Sequence, residues 1–400
     1  MKDILMIAPT MNTIDEKATD RFTYLAKMLV AKGASVELIT SDFNHRKKEY
    51  RSNDSYEYLP FKITFIHEKK YKKNISIKRI IGHNYFARGV AKYLKKRKRP
   101  DDIYLAIPST SCAYKVAKFC KKNNLPYLID VQDLWPEAFS IILGNNFISK
   151  TIISLLKHKP DYAYAKATYV YSVSKTYTQR ALIKNKIFKR SGYVFLGNDY
   201  IDLSKVVVSD YDYIFKEKYF NIVYVGNFGK SYDFLNLFKA LNHLQNNGIN
   251  DLRLIMIGDG VQFDYLKELS SKLFHHVVFT GFLEYGKLVK LCSMCDLAVN
   301  PIVKNSVSSV INKVGDYAQA GIPVVNSQNS NEYRELVDLY KCGVNAKCED
   351  YLDIALKIQE LYYDKKARIV MGENNKKLFN DLFDRKNSYI EIVDCLLENK

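Results

Sequence analysis

The run Asn221-Ile-Val-Tyr-Val-Gly226-Asn-Phe-Gly229-Lys230 is an apolar segment that ends in a glycine turn. Behind it, apolar residues recur at helical spacing from Phe234 to Leu244, which predicts a strand, a turn and a helix in that order. The same order returns in segments 252–260 and 277–281. Short apolar strands that alternate with amphipathic helices are typical of a doubly wound parallel sheet, which binds ligands at the carboxyl ends of its strands.

The segment from Asn312 to Ser327 predicts a short helix that ends at Gly321, followed by a buried parallel strand. Lys313 and Asp316 are three residues apart and therefore share one face of this helix. Near a helix start, the cation and the free N–H groups can bind a phosphate, while the carboxylate binds a sugar diol. An exposed ion pair between the two side chains is the alternative that their spacing leaves open.

Five motifs in order resemble glycosyltransferase family 4, and more narrowly its branch that builds bacterial capsule, O-antigen and exopolysaccharide repeat units. They are Asp133-Leu-Trp-Pro-Glu137, Tyr224-Val-Gly-Asn-Phe-Gly229, Ile257-Gly-Asp-Gly260, Asp296-Leu-Ala-Val-Asn-Pro301 and the segment 312–327. The resemblance implies an α/β protein of the GT-B fold, with two Rossmann-like doubly wound parallel-sheet domains and an interdomain cleft.

The same resemblance implies the division of the chain. Residues 1–198 are expected to form an acceptor-binding domain, and residues 220–379 a domain that binds a nucleotide-sugar. A linker or hinge is predicted at 199–219, and a final helix at about 380–400 is predicted to pack back on the first domain.

The activity implied by the resemblance is the transfer of a sugar, with retention at its anomeric carbon, to a lipid-linked or polysaccharide acceptor in cell-surface glycan biosynthesis. The donor would be a UDP-linked hexose or N-acetylhexosamine, and no metal or other cofactor is expected. Two alternatives stay open: a non-catalytic GT-B-like subunit of a glycan assembly complex, and a nucleotide-sugar 2-epimerase.

Site residues follow from the positions that match the family's motifs. Lys313 is predicted to bind the diphosphate, Asp316 the ribose, and Asp133 to contact the acceptor or the donor sugar, so Asp133 and Lys313 are the catalytic candidates. The full set predicted for the nucleotide-sugar is Gly226, Asn227, Gly229, Lys230, Gly258, Gly281, Phe282, Leu283, Ser308, Ser309, Asn312, Lys313 and Asp316.

Three positions depart from the family's pattern. Ser308 stands where an acid is expected, eight residues before Asp316, and Gln132 stands where many relatives have a histidine. An Arg–Lys pair after the phosphate loop is reduced to Lys230. These changes leave the expected fold and donor class intact, but they weaken the transfer of catalytic roles to this chain.

Positive charge is concentrated in the first half of the chain. The net charge is +18, and residues 1–200 hold 37 Lys and Arg against 17 Asp and Glu. Residues 69–99 hold thirteen basic residues and no acidic one, interleaved with aromatic and aliphatic side chains. Such a segment suits an anionic membrane surface. Nucleic acid is disfavoured because no nucleic-acid-binding motif accompanies the segment, and a solvated charged face is the remaining alternative.

The family's acceptors are typically sugars on polyprenyl diphosphate at the inner leaflet, which favours the membrane interpretation. The predicted acceptor and membrane contacts are Arg21, Lys72, Lys73, Arg79 and Arg88. The sequence has no apolar run long enough to span a membrane, and its first residues have the pattern of a strand rather than of a signal peptide. We therefore expect a cytoplasmic protein, peripherally associated with the inner face of the cell membrane.

Seven cysteines, an odd number, also fit a cytoplasmic protein. Cys292 and Cys295 form a C-x-x-C pair, but no second pair or histidine pair at zinc spacing completes it. We expect buried free thiols and no metal site.

Overall fold

The computed structural model describes residues 1–11, 20–51, 56–73, 76–137, 147–304, 306 and 310–398. The chain divides into two compact units, one formed by Met1–Leu196 with Ser388–Lys400 and the other by Gly197–Asn387. The predicted linker at 199–219 lies within the second unit, where it includes short 3-10 helices at Leu203–Lys205 and Ser209–Phe215.

The first unit contains a seven-stranded parallel sheet in the order β5-β2-β1-β6-β7-β8-β9. Its strands are β1 (Asp3–Ile7), β2 (Ser35–Ser41), β5 (Lys62–Ile66), β6 (Asp102–Ile107), β7 (Tyr127–Val131), β8 (Tyr169–Ser172) and β9 (Arg190–Tyr193). A separate antiparallel pair is formed by β3 (Phe43–Asn44) and β4 (Glu49–Tyr50). The helices are α1 (Arg21–Ala31), α2 (Ile77–Lys96), α3 (Thr110–Asn123), α4 (Phe147–Lys166), α5 (Lys175–Leu182) and α14 (Ile390–Leu397).

The central strands of this sheet are buried on both faces because helices cover each side. In β1, Leu5 and Ile7 belong to one core cluster, while Ile4 and Met6 belong to the other. Successive side chains of a strand point to opposite faces, so a continuous apolar run fills both cores. The helices begin where polar side chains cap them: Asp20 accepts hydrogen bonds from the first N–H groups of α1, and Ser76 does so for α2.

The second unit contains a six-stranded parallel sheet in the order β12-β11-β10-β13-β14-β15. Its strands are β10 (Phe220–Val225), β11 (Leu252–Ile257), β12 (Val277–Gly281), β13 (Leu297–Asn300), β14 (Val324–Asn326) and β15 (Gly343–Asn345). The helices are α6 (Phe234–Asn246), α7 (Phe263–Lys272), α8 (Tyr285–Ser293), α9 (Lys313–Ala320), α10 (Asn331–Tyr340), α11 (Tyr351–Tyr363), α12 (Lys365–Leu378) and α13 (Arg385–Ser388), with a π-helical turn at Phe379–Phe383.

The predicted fold class, two doubly wound parallel sheets, is confirmed. The sequence pattern missed β9 and β15, which are edge strands of three or four residues that are only partly buried. A short, polar edge strand carries little apolar periodicity, so no pattern distinguishes it from a loop. Among the helices that the structure describes, none is long and apolar enough to cross a membrane.

The C-terminal residues complete the core of the first unit. Tyr389, Ile392, Val393 and Leu396 are fully buried in the same cluster as Ile4 and Met6 of β1. The segment predicted to pack back on the first domain began near residue 380, whereas the structure assigns residues up to Asn387 to the second unit.

Candidate functional site

Three glycine turns lie side by side at the carboxyl ends of β10, β11 and β12. The N–H of Gly226 donates to Ile257 O at 2.8 Å, and the N–H of Gly258 donates to Gly281 O at 2.9 Å. All three glycines have positive φ angles, of +122°, +139° and +71° in chain order. A Cβ added to Gly258 would lie only 2.0 Å from Gly226 O, so this backbone contact requires glycine.

Lys313, at the start of α9, is buried next to the first of these turns. Its Nζ lies 3.3 Å from the position that a Cβ on Gly226 would occupy. The ammonium also packs on the rings of Tyr224 and Tyr232, at 3.7 and 3.9 Å from the ring centroids. The side chain of Lys313 thus lies between the helix and the glycine turn that the sequence analysis expected to be close together.

Lys313 is buried and makes no ion pair with the described residues, although the charge of Asp316 acts on it from beyond ion-pair distance. The residue is 6% exposed, and its Nζ is buried without a hydrogen-bond partner or a carboxylate oxygen within 4 Å among those residues. Burial lowers the pKa of Lys313 well below its ordinary value, because the desolvated ammonium is only partly stabilised by the charge of Asp316. The alternative of an exposed ion pair with Asp316 is therefore wrong, because Lys313 is buried and no carboxylate oxygen of the described residues lies within 4 Å of its Nζ.

Asp316 faces a different group of residues. Asn198 Nδ2 donates to its Oδ1 at 2.7 Å, and the hydroxyl of Tyr285 also hydrogen-bonds to the carboxylate. Burial raises the pKa of Asp316 to about 6. The hydrogen bond from Tyr285, the charge of Lys313 and the hydrogen bond from Asn198 oppose this shift. A ribose diol would have to replace Asn198 or Tyr285 as the partner of this carboxylate.

The raised pKa of Asp316 predicts a pH-dependent contribution to stability. Its pKa in the folded protein is about 6 against an ordinary value of 3.8, so folding favours the protonated form. The contribution is therefore complete below about pH 4 and is lost as the pH rises through about 6. The free energy of unfolding of Asp316→Asn, relative to the unsubstituted protein, should rise between pH 4 and 6 and then level off in urea titrations.

A control for this prediction is Asp202→Asn. Hydrogen bonds from Ser204 and Lys205 lower the pKa of the exposed Asp202 to about 2, so its ionisation is complete in both states above about pH 5. The difference in the free energy of unfolding between Asp202→Asn and the unsubstituted protein should therefore change little between pH 5 and 7. A constant difference between Asp316→Asn and the unsubstituted protein from pH 4 to 7 would contradict the assignment.

The other predicted donor residues differ in exposure. Asn227, Lys230 and Asn312 are exposed, Gly229 is partly buried, and Phe282 is 79% exposed, whereas Leu283 is buried. Ser308 and Ser309 lie outside the described residues. The sequence analysis did not identify Tyr224 and Tyr232 as site residues, because Tyr224 was interpreted as part of an apolar strand and Tyr232 as part of a loop. Their signal was an aromatic residue on each side of the Gly226 turn.

In the first unit, Asp133 follows the carboxyl end of β7 and accepts a hydrogen bond from Trp135 Nε1 at 2.8 Å. Burial raises the pKa of Asp133, and the indole hydrogen bond opposes this effect. The guanidinium of Arg79 lies 4.2 Å from the centroid of the Trp135 ring. The carboxylate thus has a local partner, and its predicted contact with the acceptor or the donor sugar stays a prediction.

The predicted basic surface requires two corrections. Arg21 is 3% exposed, and its guanidinium donates to both carboxylate oxygens of Asp130, at 2.9 and 3.2 Å. It also donates to Val194 O and Phe195 O, each at 3.0 Å. Arg21 therefore stabilises the interior of the unit. Arg79 is 7% exposed and packs on Trp135, so neither arginine is a membrane contact.

Lys72, Lys73 and Arg88 are exposed in the first unit, and their predicted role is compatible with this placement. The helix α2 presents Ile77, Ile80, Ile81 and Tyr85 to solvent along with its basic residues. Gln132, which stands in place of the family's histidine, donates from Nε2 to Asp130 Oδ2 at 2.9 Å.

All seven cysteines are free thiols, and six of them are buried. Burial raises the pKa of Cys292 and of Cys295, which keeps both thiols protonated. Over the ranges that the structure describes, no group of three or more His, Cys, Asp or Glu side chains is placed to hold a metal ion.

Comparison with known proteins adds a family match and several similar folds. Residues 211–378 match the family model described as Glycosyl transferases group 1. HepE of Anabaena, solved in complex with UDP and glucose, has a TM-score of 0.68 at 17% identity, and the match covers 100% of each chain. No curated protein sequence matches the chain.

Two further solved structures share the fold. Sucrose-phosphate synthase of Thermosynechococcus elongatus has a TM-score of 0.71 at 14% identity, covering 100% of this chain and 99% of the other. WaaG, a glycosyltransferase involved in lipopolysaccharide biosynthesis, has a TM-score of 0.65 at 12% identity, covering 99% and 100%. Together these likenesses confirm the predicted GT-B fold.

Proposed function

We propose that the chain is a retaining glycosyltransferase that moves a sugar from a UDP-linked donor to a lipid-linked or polysaccharide acceptor in cell-surface glycan biosynthesis. The donor sugar would be a hexose or an N-acetylhexosamine. The family 4 branch for capsule, O-antigen and exopolysaccharide synthesis, suggested by the motifs, is part of the same proposal. The match of residues 211–378 to Glycosyl transferases group 1 supports the reaction class.

The observation that carries the proposal is the buried ammonium of Lys313 next to the Gly226 turn. A buried cation without an anionic partner is costly, and proteins retain such groups mainly where a ligand or a reaction uses them. A donor diphosphate placed against the glycine turns would supply the missing negative charge. The parallel sheet collects its turns at one edge, which is where ligands of doubly wound sheets bind.

In this proposal, Lys313 stabilises the negative charge that develops on the leaving diphosphate as the bond to the anomeric carbon breaks. The N–H groups at the starts of two helices are expected to add fixed dipoles that favour the same negative charge. Because these groups already supply positive potential, we expect the reaction to need no metal ion. Asp316 would bind the ribose after exchanging one of its present partners.

Nucleotide binding gives the direct test of this function. UDP and UDP-sugars are expected to raise the unfolding temperature of the protein, whereas GDP-sugars raise it less, and a UDP-sugar should be hydrolysed slowly in the absence of acceptor. Product analysis separates the alternatives, because a 2-epimerase would return an epimerised sugar and a non-catalytic subunit would bind without turnover. A protein that binds no UDP and hydrolyses no UDP-sugar would refute the proposal.

The proposed acceptor is a sugar on polyprenyl diphosphate at the anionic surface of the inner leaflet. The protein itself would be cytoplasmic and would bind this surface peripherally. The exposed basic residues and the exposed apolar residues of α2 support this part of the proposal. Each basic side chain near anionic headgroups contributes about 1 kcal/mol.

A flotation assay tests the membrane contact. The protein should float with vesicles that contain anionic lipid, and the triple variant Lys72→Glu, Lys73→Glu, Arg88→Glu should bind at least tenfold more weakly at low salt. A matched triple reversal at Lys121, Lys122 and Lys184, which are also exposed in the first unit, controls for net charge. Equal losses in both triple variants would show that only net charge matters, and would contradict this surface.

A further inference from the structure

Tyr224 and Tyr232 form an aromatic corner in the second unit. Their rings meet edge to face, with centroids 5.5 Å apart and an angle of 76° between the ring planes. The Nζ of Lys313 lies over both rings, at 3.7 Å from the centroid of Tyr224 and 3.9 Å from that of Tyr232. The proposed function assigns a role to this lysine but none to either tyrosine.

The ring of Tyr224 is fixed by contacts that need no ligand. The residue lies on β10 and is fully buried. Its hydroxyl donates to Asn227 O at 2.9 Å, within the glycine turn that follows the strand. The ring also packs edge to face on Phe234, with centroids 4.9 Å apart. One wall of the aromatic corner is therefore part of the core of the unit.

The backbone around Tyr232 is fixed as well. The N–H of Tyr232 donates to Gly229 O at 3.1 Å, and the neighbouring Ser231 O accepts from the N–H of Val303, also at 3.1 Å. The segment between β10 and α6 is thus tied both to its own glycine turn and to the segment after β13. These hydrogen bonds hold the second wall of the corner against the first.

The aromatic corner places the amine of Lys313 where the donor diphosphate is expected. A Cβ on Gly226 would lie 3.3 Å from both Cε and Nζ of Lys313, so the amine lies directly against the glycine turn. A long lysine side chain loses conformational entropy when it is fixed. Because the rings fix it in the free protein, an arriving ligand does not bear this cost.

Aromatic faces differ from a carboxylate in what they leave available. The face of an aromatic ring is partly negative and attracts a cation, but it brings no full negative charge into the site. A carboxylate in the same place would neutralise the lysine, and a diphosphate would then have to compete with it. The Nζ of Lys313 has no hydrogen-bond partner among the residues that the structure describes, so its N–H groups can still be donated.

We propose that Tyr224 and Tyr232 are positioning residues, whose ring faces hold the amine of Lys313 against the Gly226 turn and leave its positive charge to the diphosphate of the donor. The inference rests on the proposed function and extends it from Lys313 to the two side chains that hold this lysine. A cation that is held in place before the donor binds needs no reorganisation when negative charge develops on the leaving group.

Variants of Tyr232 test the proposal, because this ring is only partly buried and can be replaced with less damage to the core. Tyr232→Leu removes one ring face and keeps an apolar side chain, so UDP binding in calorimetric titration should weaken about tenfold. Tyr232→Phe keeps the ring face and should bind UDP within about twofold of the unsubstituted protein.

The control is Tyr362→Leu. Tyr362 is also partly buried, packs on Phe220 with ring centroids 5.1 Å apart, and donates to Asp251 Oδ1 at 2.6 Å. These contacts lie at the amino ends of β10 and β11, away from the glycine turns. Tyr362→Leu should lower the unfolding temperature without changing the affinity for UDP.

A double-mutant cycle shows whether Tyr232 acts through Lys313. In the Lys313→Met protein there is no amine to position, so adding Tyr232→Leu should cause no further loss of UDP binding. An equal loss in both backgrounds would mean that Tyr232 acts independently of the lysine, and the inference would be wrong. It would also be wrong if Tyr232→Leu alone bound UDP like the unsubstituted protein, while the proposed function would stand.

A spectroscopic measurement tests the aromatic corner without any nucleotide. In NMR spectra of protein labelled with ¹³C at the lysine Cε, ring currents should shift the Cε protons of Lys313 upfield of those of the other lysines. Lys313→Met assigns the resonance by its loss, and Tyr232→Leu should move it back toward the others. An ordinary shift in the unsubstituted protein would overturn the inference. An upfield shift in a protein that binds no UDP would keep the corner but refute the proposed function.

Discussion

Lys313→Met is expected to weaken UDP binding about a hundredfold and to reduce sugar transfer at least as much, because the donor diphosphate loses its buried cation. The methionine keeps most of the length and apolar surface of the lysine stem, so the packing against Tyr224 and Tyr232 is retained. Calorimetric titration with UDP measures the loss, and hydrolysis of a UDP-sugar measures the effect on turnover.

The stability of the same variant should move in the opposite direction. Replacing a buried ammonium that lacks an ionic partner removes a desolvation penalty, so we expect an unfolding temperature equal to or above that of the unsubstituted protein. Lys218→Met, at an exposed position of the second unit, is the control and should leave both binding and stability unchanged. If Lys313→Met binds UDP normally, Lys313 does not contact the diphosphate.

Gly258→Ala should produce the largest loss of stability among single methyl additions in the second unit. The added Cβ would lie 2.0 Å from Gly226 O, and the φ of +139° is one that alanine rarely adopts. Neither problem can be relieved by a side-chain rotation, because the clashing atom belongs to the backbone. We expect the free energy of unfolding to fall by about 3 kcal/mol or more.

The control for Gly258→Ala is Gly248→Ala. Gly248 also has a positive φ, of +93°, but a Cβ there would meet nothing within 4 Å. Backbone strain alone should lower its free energy of unfolding by about 1 to 2 kcal/mol. Urea unfolding followed by far-UV circular dichroism compares the two. Similar losses would show that the contact between the two glycine turns contributes nothing beyond the strain in φ.

The sequence predicted the parallel sheets and the juxtaposition of Lys313 with the Gly226 turn because both depend on local patterns. Apolar strands, glycine turns and helix spacing are encoded within short segments, and parallel topology brings the turns to one edge. The pairing of Lys313 with two tyrosines was not predictable in the same way. Tyr232 lies in a loop, and loop side chains carry no periodic signal that fixes their direction.

Long-range partners account for the wrong predictions about the basic surface. Arg21 appears in the sequence as one cation among many, but Asp130, which binds it, is more than a hundred residues away. Arg79 is surrounded by exposed lysines in the sequence, yet it packs on Trp135 from another segment. Composition measures how much charge a segment carries, whereas the burial of each charge depends on contacts that form only in the folded chain.

The return of the chain to the first unit has a consequence for folding during synthesis. Tyr389, Ile392 and Leu396 fill part of the first core, but the ribosome makes them only after the whole second unit. The nascent first unit therefore keeps part of its apolar core exposed until these residues are synthesised. The second unit is able to fold before then. A nascent chain arrested before residue 388 should bind chaperones through its N-terminal half.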